Sequence, residues 1–284
     1  MAIYLVCEGE PDSLDVRVLD LIVAQKMGLP VQIETVGGGS SGGSVATWLE
    51  KRGHRAYTIQ DRDYRSHEQV EKHWRVDSKR LMWRRHEIEN YLLDPRIVLT
   101  AFRQLQQAGI QGANNLPDDL ASTERLLQDL ARPLLEDHTG RCTYWSLHAQ
   151  QSVADMRFEL PQPPGLYPTR EMWLDYLERE GCRFQDVCGR LASDEVYCRA
   201  AIEYHYDEAW ERISAPHFLS SGRFIEEMGG HELLSALGKD INERGVSHLS
   251  IPDLGDELLK ALDELYCDAF FAPNDFAQLA ERLK

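Results

Sequence analysis

Several features that mark large protein classes are missing from this chain. No stretch of its 284 residues approaches the roughly 18 consecutive apolar residues of a membrane span. The mean hydropathy of -0.44 agrees, and a membrane-embedded protein is not expected. Cysteine is sparse: Cys7, Cys142, Cys182, Cys188, Cys198 and Cys267 form no CxxC pair, which argues against a disulfide scaffold and for reduced thiols in the cytoplasm. No His/Cys cluster has zinc-ligand spacing, and no Walker Gly-Lys-Ser/Thr ending occurs, so neither a zinc site nor an NTP site is expected. The first residues show neither a basic run nor a small-residue cleavage site, so a signal peptide is not expected. The start, Ile3-Tyr4-Leu5-Val6, reads as a core strand. Repeats of fixed period and low-complexity tails are not found.

What is present is an ordinary globular composition with an uneven charge. The net charge of -16 at first argues against a polyanionic ligand. Its distribution changes that reading. Residues 1–110 carry 15 acidic and 15 basic side chains, so the whole deficit lies in residues 111–284. Within the neutral part, residues 62–85 hold eight bases (Arg62, Arg65, Lys72, Arg75, Lys79, Arg80, Arg84, Arg85) against four acids. A local basic surface is therefore expected there.

Short apolar runs alternate with helical periods over the first 100 residues. Residues 3–6, 31–36, 56–60 and 80–83 read as strands. Residues 14–27 place Leu14, Val18, Leu21 and Ile22 on one helical face, with Gly28 as the stop, and a second helix is expected over residues 45–52. Strands separated by helices predict an α/β fold with a mostly parallel, Rossmann-like sheet. The Gly/Ser run at residues 37–44 sits between a strand and a helix and reads as a loop beside the site. Beyond residue 95 the strand signal fades. Helical spacing runs over 96–108, 121–136, 171–180, 194–213, 223–238 and 255–284, with residues 161–165 as an internal linker. Two parts are thus expected, an N-terminal domain over 1–95 and a mainly helical region over 96–284. Trp74, Trp83, Trp145, Trp173 and Trp210 read as core anchors.

Acidic residues fall where strands end. Glu8-Gly9-Glu10-Pro11-Asp12 follows the first strand, Asp61-Arg62-Asp63 follows the third, and Glu87-Ile88-Glu89 follows the basic segment. Ligands of an open parallel sheet collect beyond the carboxyl ends of its strands, so these carboxylates can converge on one crevice. Oxygen-only donors suit Mg²⁺ or Mn²⁺.

Tyr4-Leu5-Val6-Cys7-Glu8-Gly9-Glu10-Pro11-Asp12 resembles the first motif of the toprim family, a strand ending in Glu-Gly-x-x-Asp. Ala56-Tyr57-Thr58-Ile59-Gln60-Asp61-Arg62-Asp63 is similar to its second, a strand ending in Asp-x-Asp. His86-Glu87-Ile88-Glu89-Asn90-Tyr91-Leu92-Leu93 resembles a signature of the DUF4435 branch, related to OLD-type nucleases and including the toprim effector of the PARIS anti-phage system. The resemblance covers roughly residues 3–95 and implies a toprim catalytic domain over 1–95.

The resemblance implies a metal-dependent nuclease acting in anti-phage defence. By it, Glu8, Asp61, Asp63 and Glu89 are catalytic, and Glu8, Asp12, Asp61, Asp63, Glu87 and Glu89 hold Mg²⁺ or Mn²⁺. RNA, tRNA in particular, is the first expected substrate and DNA the second. Arg62, Arg65, Arg80, Arg84 and Arg85 are the expected phosphate contacts. A separate ABC-type ATPase sensor subunit and a homodimer are expected partners, with no membrane. OLD-type enzymes place a lysine near the metals. Here Ser221-Gly222-Arg223 and Gly229-Gly230-His231 are the candidate substitutes. The alternatives are another toprim enzyme, of topoisomerase or primase type, and a non-catalytic metal-binding regulator.

Overall fold

Ile3–Glu8 forms β1, and its run Leu5, Val6, Cys7 is buried throughout, as expected of a strand covered on both faces. In the computed structural model the described residues are 2–37, 42–75, 78–150, 167–188, 198–246, 249–266 and 274–284. β1 pairs in parallel with β2 (Val31–Val36) on one side, from Ile3↔Val31 to Glu8↔Val36. On its other side it pairs with β3 (Arg55–Gln60), from Ile3↔Arg55 to Val6↔Thr58. β4 (Arg80–Met82) joins β3, with Thr58 opposite Arg80. The sheet is parallel in the order β2-β1-β3-β4.

Parallel neighbours need crossovers, and helices supply them. Helix α1 (Leu14–Leu19) runs into a wider turn over Asp20–Lys26, where Met27 N bonds Ile22 O at 3.0 Å, and leads to β2. Gly28, at φ +63°, ends it in the left-handed region. Helix α2 (Gly42–Lys51) leads to β3 and covers the face of Val6, Val36 and Ala56 with Ala46 and Leu49. Helix α3 (His67–His73), opened by a capping box of Ser66 and Gln69, leads to β4. The chain leaves β1 toward β2 and returns to β1's other side as β3. This reversal opens a crevice at the carboxyl ends of β1 and β3.

The rest of the chain is helical. After β4 come α4 (Glu89–Leu92), α5 (Pro95–Gln107) and α6 (Leu120–Ala131). Next are α7 (Leu135–Gln150), α8 (Arg170–Cys188), α9 (Arg199–Ile213) and α10 (Pro216–Ser220). The chain closes with α11 (Arg223–Glu227), α12 (Gly230–Glu243), α13 (Ile251–Leu265) and α14 (Asn274–Leu283). None of the described helices is long and apolar enough to cross a membrane.

The expected division at residue 95 is corrected. One compact unit joins Met1–Leu127 with Ile225–Lys284, and Gln128–Phe224 is inserted as the second. The reason is a long-range contact: α5 buries Ile97, Val98, Ala101, Phe102 and Leu105 and packs on α13, which buries Leu254, Leu258, Ala261 and Leu262. The expected linker at 161–165 lies outside the described residues, as do residues 38–41 of the Gly/Ser run. The second unit is helical, with Leu147, Trp173, Leu174, Tyr176, Leu177, Ile202 and Tyr206 as its core. Gly140 is required there, because a Cβ would lie 1.9 Å from the Trp173 ring. Trp74, Trp83 and Trp173 are buried as expected, Trp145 and Trp210 are half-buried, and Trp48, which the sequence did not single out, is exposed.

Candidate functional site: a carboxylate crevice at the strand ends

Glu8 stands at the last position of β1, and Asp61 directly follows β3, so the two flank the crevice between these strands. Gly9 turns the chain at φ +105°, and a Cβ there would stand 2.6 Å from Ser13 Oγ. That turn delivers α1, whose first turn carries Asp15. Asp63 is held at φ +50°, a conformation that costs an ordinary side chain energy and that aspartate tolerates best after asparagine and glycine. Its carboxylate is held by Arg65 Nη1, which also donates to the Arg62 carbonyl at 3.1 Å.

The third acidic segment is fastened from far along the chain. His86 N donates to Glu226 O at 2.8 Å. Buried Asn90 donates through Nδ2 to the carbonyls of Ile225 and Met228, both at 2.8 Å, while its Oδ1 accepts from Glu87 N at 2.8 Å. α12 begins against this segment so closely that a Cβ on Gly230 would lie 2.7 Å from Asn90 Oδ1. At that helix start, His231 N donates to Glu87 Oε2 at 3.0 Å, a carboxylate capping a helix N-terminus.

The carboxylates share one electrostatic field. Burial raises Asp61 well above its ordinary value, and Asp15, Glu87, Glu8 and Asp63 add to the rise. Burial likewise raises Glu8, with Asp63 adding and Arg65 opposing. Asp15 is pushed up to about 7, by burial first and then by Glu89 and Glu8. Glu87 is pushed up to about 8, by burial and then Glu89, against the His231 N–H, with Glu232 and Asp63 adding. Glu89 is raised by burial and by Glu232, with His231 opposing. Beneath them the Cys7 thiol is pushed up to about 12, by burial and then Asp15, and stays protonated.

Glu8, Asp61, Asp63, Glu87 and Glu89 thus come together, while Asp12 is exposed on the turn. Two acids the sequence reading did not select join the cluster: Asp15, one helical turn beyond Asp12, and Glu232, brought by α12. The donor chemistry, oxygen only and mutually repelling, fits a hard divalent cation. The side chains are not drawn into a ligand sphere. Among the described residues no group of three or more His, Cys, Asp or Glu stands where it could hold a metal ion.

Three of the five arginines expected to contact phosphate are engaged within the protein. Arg62 donates to the carbonyls of Arg65 at 2.9 Å and Arg84 at 2.8 Å, tying the loop after β3 to the loop after β4. Arg84 binds Glu71 at 2.5 Å and Asp275 at 2.7 Å, and lies over the Trp74 ring at 4.5 Å. Arg85 donates to Asn90 O at 2.6 Å and lies over the Tyr91 ring at 4.9 Å. These three guanidiniums hold the fold together. Arg65 faces Asp63, and Arg80 is exposed beside Gly43 at the start of α2. Of the lysine substitutes, His231 is set beside Glu87 and Glu89. No family model, curated protein or solved structure matches the chain.

Proposed function

We propose that this chain is a toprim-type, divalent-metal-dependent nuclease that hydrolyses phosphodiester bonds of RNA, tRNA first, or of DNA. One feature carries the reading: Asp61, half-buried where β3 ends at the strand-reversal crevice, has its carboxyl raised by burial and by Asp15, Glu87, Glu8 and Asp63. Such a gathering of carboxylates costs stability unless a counter-charge or protons offset it, and functional sites are where such costs are kept. Glu8, Asp61, Asp63, Glu87 and Glu89 would hold Mg²⁺ or Mn²⁺, with Asp15 as an added donor. Once bound, the ion would neutralise the scissile phosphate and activate water.

The chain's own residues then have defined tasks. Glu8 and Asp61, at the ends of neighbouring strands, would set where the phosphate lies. Arg65 orients Asp63. Asn90, through Ile225 and Met228, holds the backbone of Glu87 and Glu89 in place. His231 and the start of α12 supply positive potential beside Glu87 and Glu89. The defence role, the separate ATPase subunit and the homodimer belong to the same proposal through the resemblance.

The test is to incubate purified protein with Mg²⁺ or Mn²⁺ and labelled tRNA, single-stranded DNA and plasmid, with chelator controls. Cleavage that needs metal and disappears in Asp61→Asn supports the reading. Metal binding without cleavage of any of these would favour the regulator instead, and neither binding nor cleavage would remove the reading.

A further inference from the structure

In the second unit, apart from the carboxylate crevice, a thiol sits between a base and a cation. Cys142 lies on α7, and His138, one turn earlier on the same face, places Nε2 3.6 Å from its Sγ. From α9, Arg212 directs Nη2 at the same sulfur from 3.8 Å. α7 and α9 pack along one another, so helix packing sets this meeting. The His138 ring is buried and stacked on Phe218, centroids 6.0 Å apart. The neighbouring acid, Asp137, is engaged elsewhere, by Arg141 Nε at 2.7 Å and Tyr167 N at 2.9 Å. Cys142 itself is partly exposed, so a small reagent can reach it.

We propose that Cys142 is a reactive thiol, a site of oxidative modification by hydroperoxides that works independently of the crevice. The thiolate is the nucleophile of cysteine chemistry, and a partly exposed sulfur beside His and Arg is the setting that favours it. His138 Nε2 takes the thiol proton while Arg212 stabilises the sulfur anion. The thiolate attacks one peroxide oxygen. The S–O bond forms, the O–O bond breaks, and two electrons pass from sulfur to peroxide. The departing hydroxide, or alkoxide from an organic hydroperoxide, recovers the proton from His138 and leaves as water or alcohol. Cys142 is left as a sulfenic acid, which thiols can reduce back. Buried Cys7, by contrast, has Asp15, Asp61 and Glu8 as charged neighbours, and its thiol stays protonated.

The full chain is treated at neutral pH with sub-stoichiometric iodoacetamide, digested, and each cysteine's modification followed by mass spectrometry. Cys142 should react about tenfold faster in the folded protein than in the urea-unfolded chain, where its partners are dispersed. Arg212→Gln and His138→Gln should bring its rate near the unfolded value. Hydrogen peroxide with dimedone should label Cys142, and Cys142→Ser should remove that label. Reaction no faster in the folded than in the unfolded chain overturns the proposal, and so does an unchanged rate in a folded Arg212→Gln. If the variants do not fold, the wild-type comparison decides alone.

Discussion

Neutralising Glu87 should stabilise the metal-free protein at neutral and alkaline pH and have no such effect in acid. In the unfolded chain this carboxyl ionises near 4.5; in the fold it stays protonated until about 8. A carboxyl whose folded value is raised contributes full stability below 4.5 and loses it as pH rises toward about 8. Each tenfold change in the protonation ratio is about 1.4 kcal/mol, so at pH 7 the cost is roughly 3 kcal/mol before screening. The side chain is 23% exposed, and solvent screening leaves about 1–2 kcal/mol. Glu87→Gln keeps the acceptor for His231 N while removing the charge. In EDTA at pH 7–8, its melting temperature should exceed wild type by about 2–8 °C, at about 2–4 °C per kcal/mol for a chain of this size. The gap should vanish near pH 4.5 and narrow or reverse in millimolar Mg²⁺, because the wild type then gains a ligand. Calorimetry across pH with and without metal checks this. A Glu87→Gln protein that melts lower than wild type at pH 8 in EDTA would refute the reasoning, since the carboxylate would then be stabilising rather than strained.

Glu8→Ala should abolish metal-dependent cleavage while leaving the far-UV circular dichroism and the melting transition in EDTA near wild type, because it removes a repelling charge. Retained cleavage removes the toprim mechanism. Arg84→Ala should lower stability by about 2–4 kcal/mol in urea titration, because it strips Asp275, itself nearly buried and bonded to the Tyr91 hydroxyl, of its cation. Arg80→Glu should leave stability within about 0.5 kcal/mol and reduce the slope of log K against log salt for RNA binding by about one. An equal effect of both substitutions on binding would restore the wider basic wall. Gly230→Ala puts a methyl 2.8 Å from Glu89 Cβ and 2.9 Å from the Asn90 backbone nitrogen, and should both destabilise the fold and accelerate hydrogen exchange over residues 86–92.

Local pattern determined much of this protein. Strand β1 is readable because four apolar residues run together, and β2 and β3 because each run lies between turn signals, as their positions in the sheet bear out. Glu8 and Asp61 are readable as crevice residues because a parallel sheet puts its strand ends on one side, whatever follows. The division of the chain was not readable. The pairing of α5 with α13 joins apolar faces about 150 residues apart, and nothing in either periodicity names its partner. The same holds for the choice of Asp15 over Asp12, which depends on how α1 leaves the Gly9 turn, and for Glu232 and His231, which α12 brings in by docking on Asn90. Charge counts placed eight bases between residues 62 and 85, but only tertiary contacts decided which of them bind the protein itself. Sequence sets which side chains can meet at a strand end. Long-range packing decides which of the others face them, because the free energy that aligns distant helices comes from apolar burial and carries the charged residues along with it.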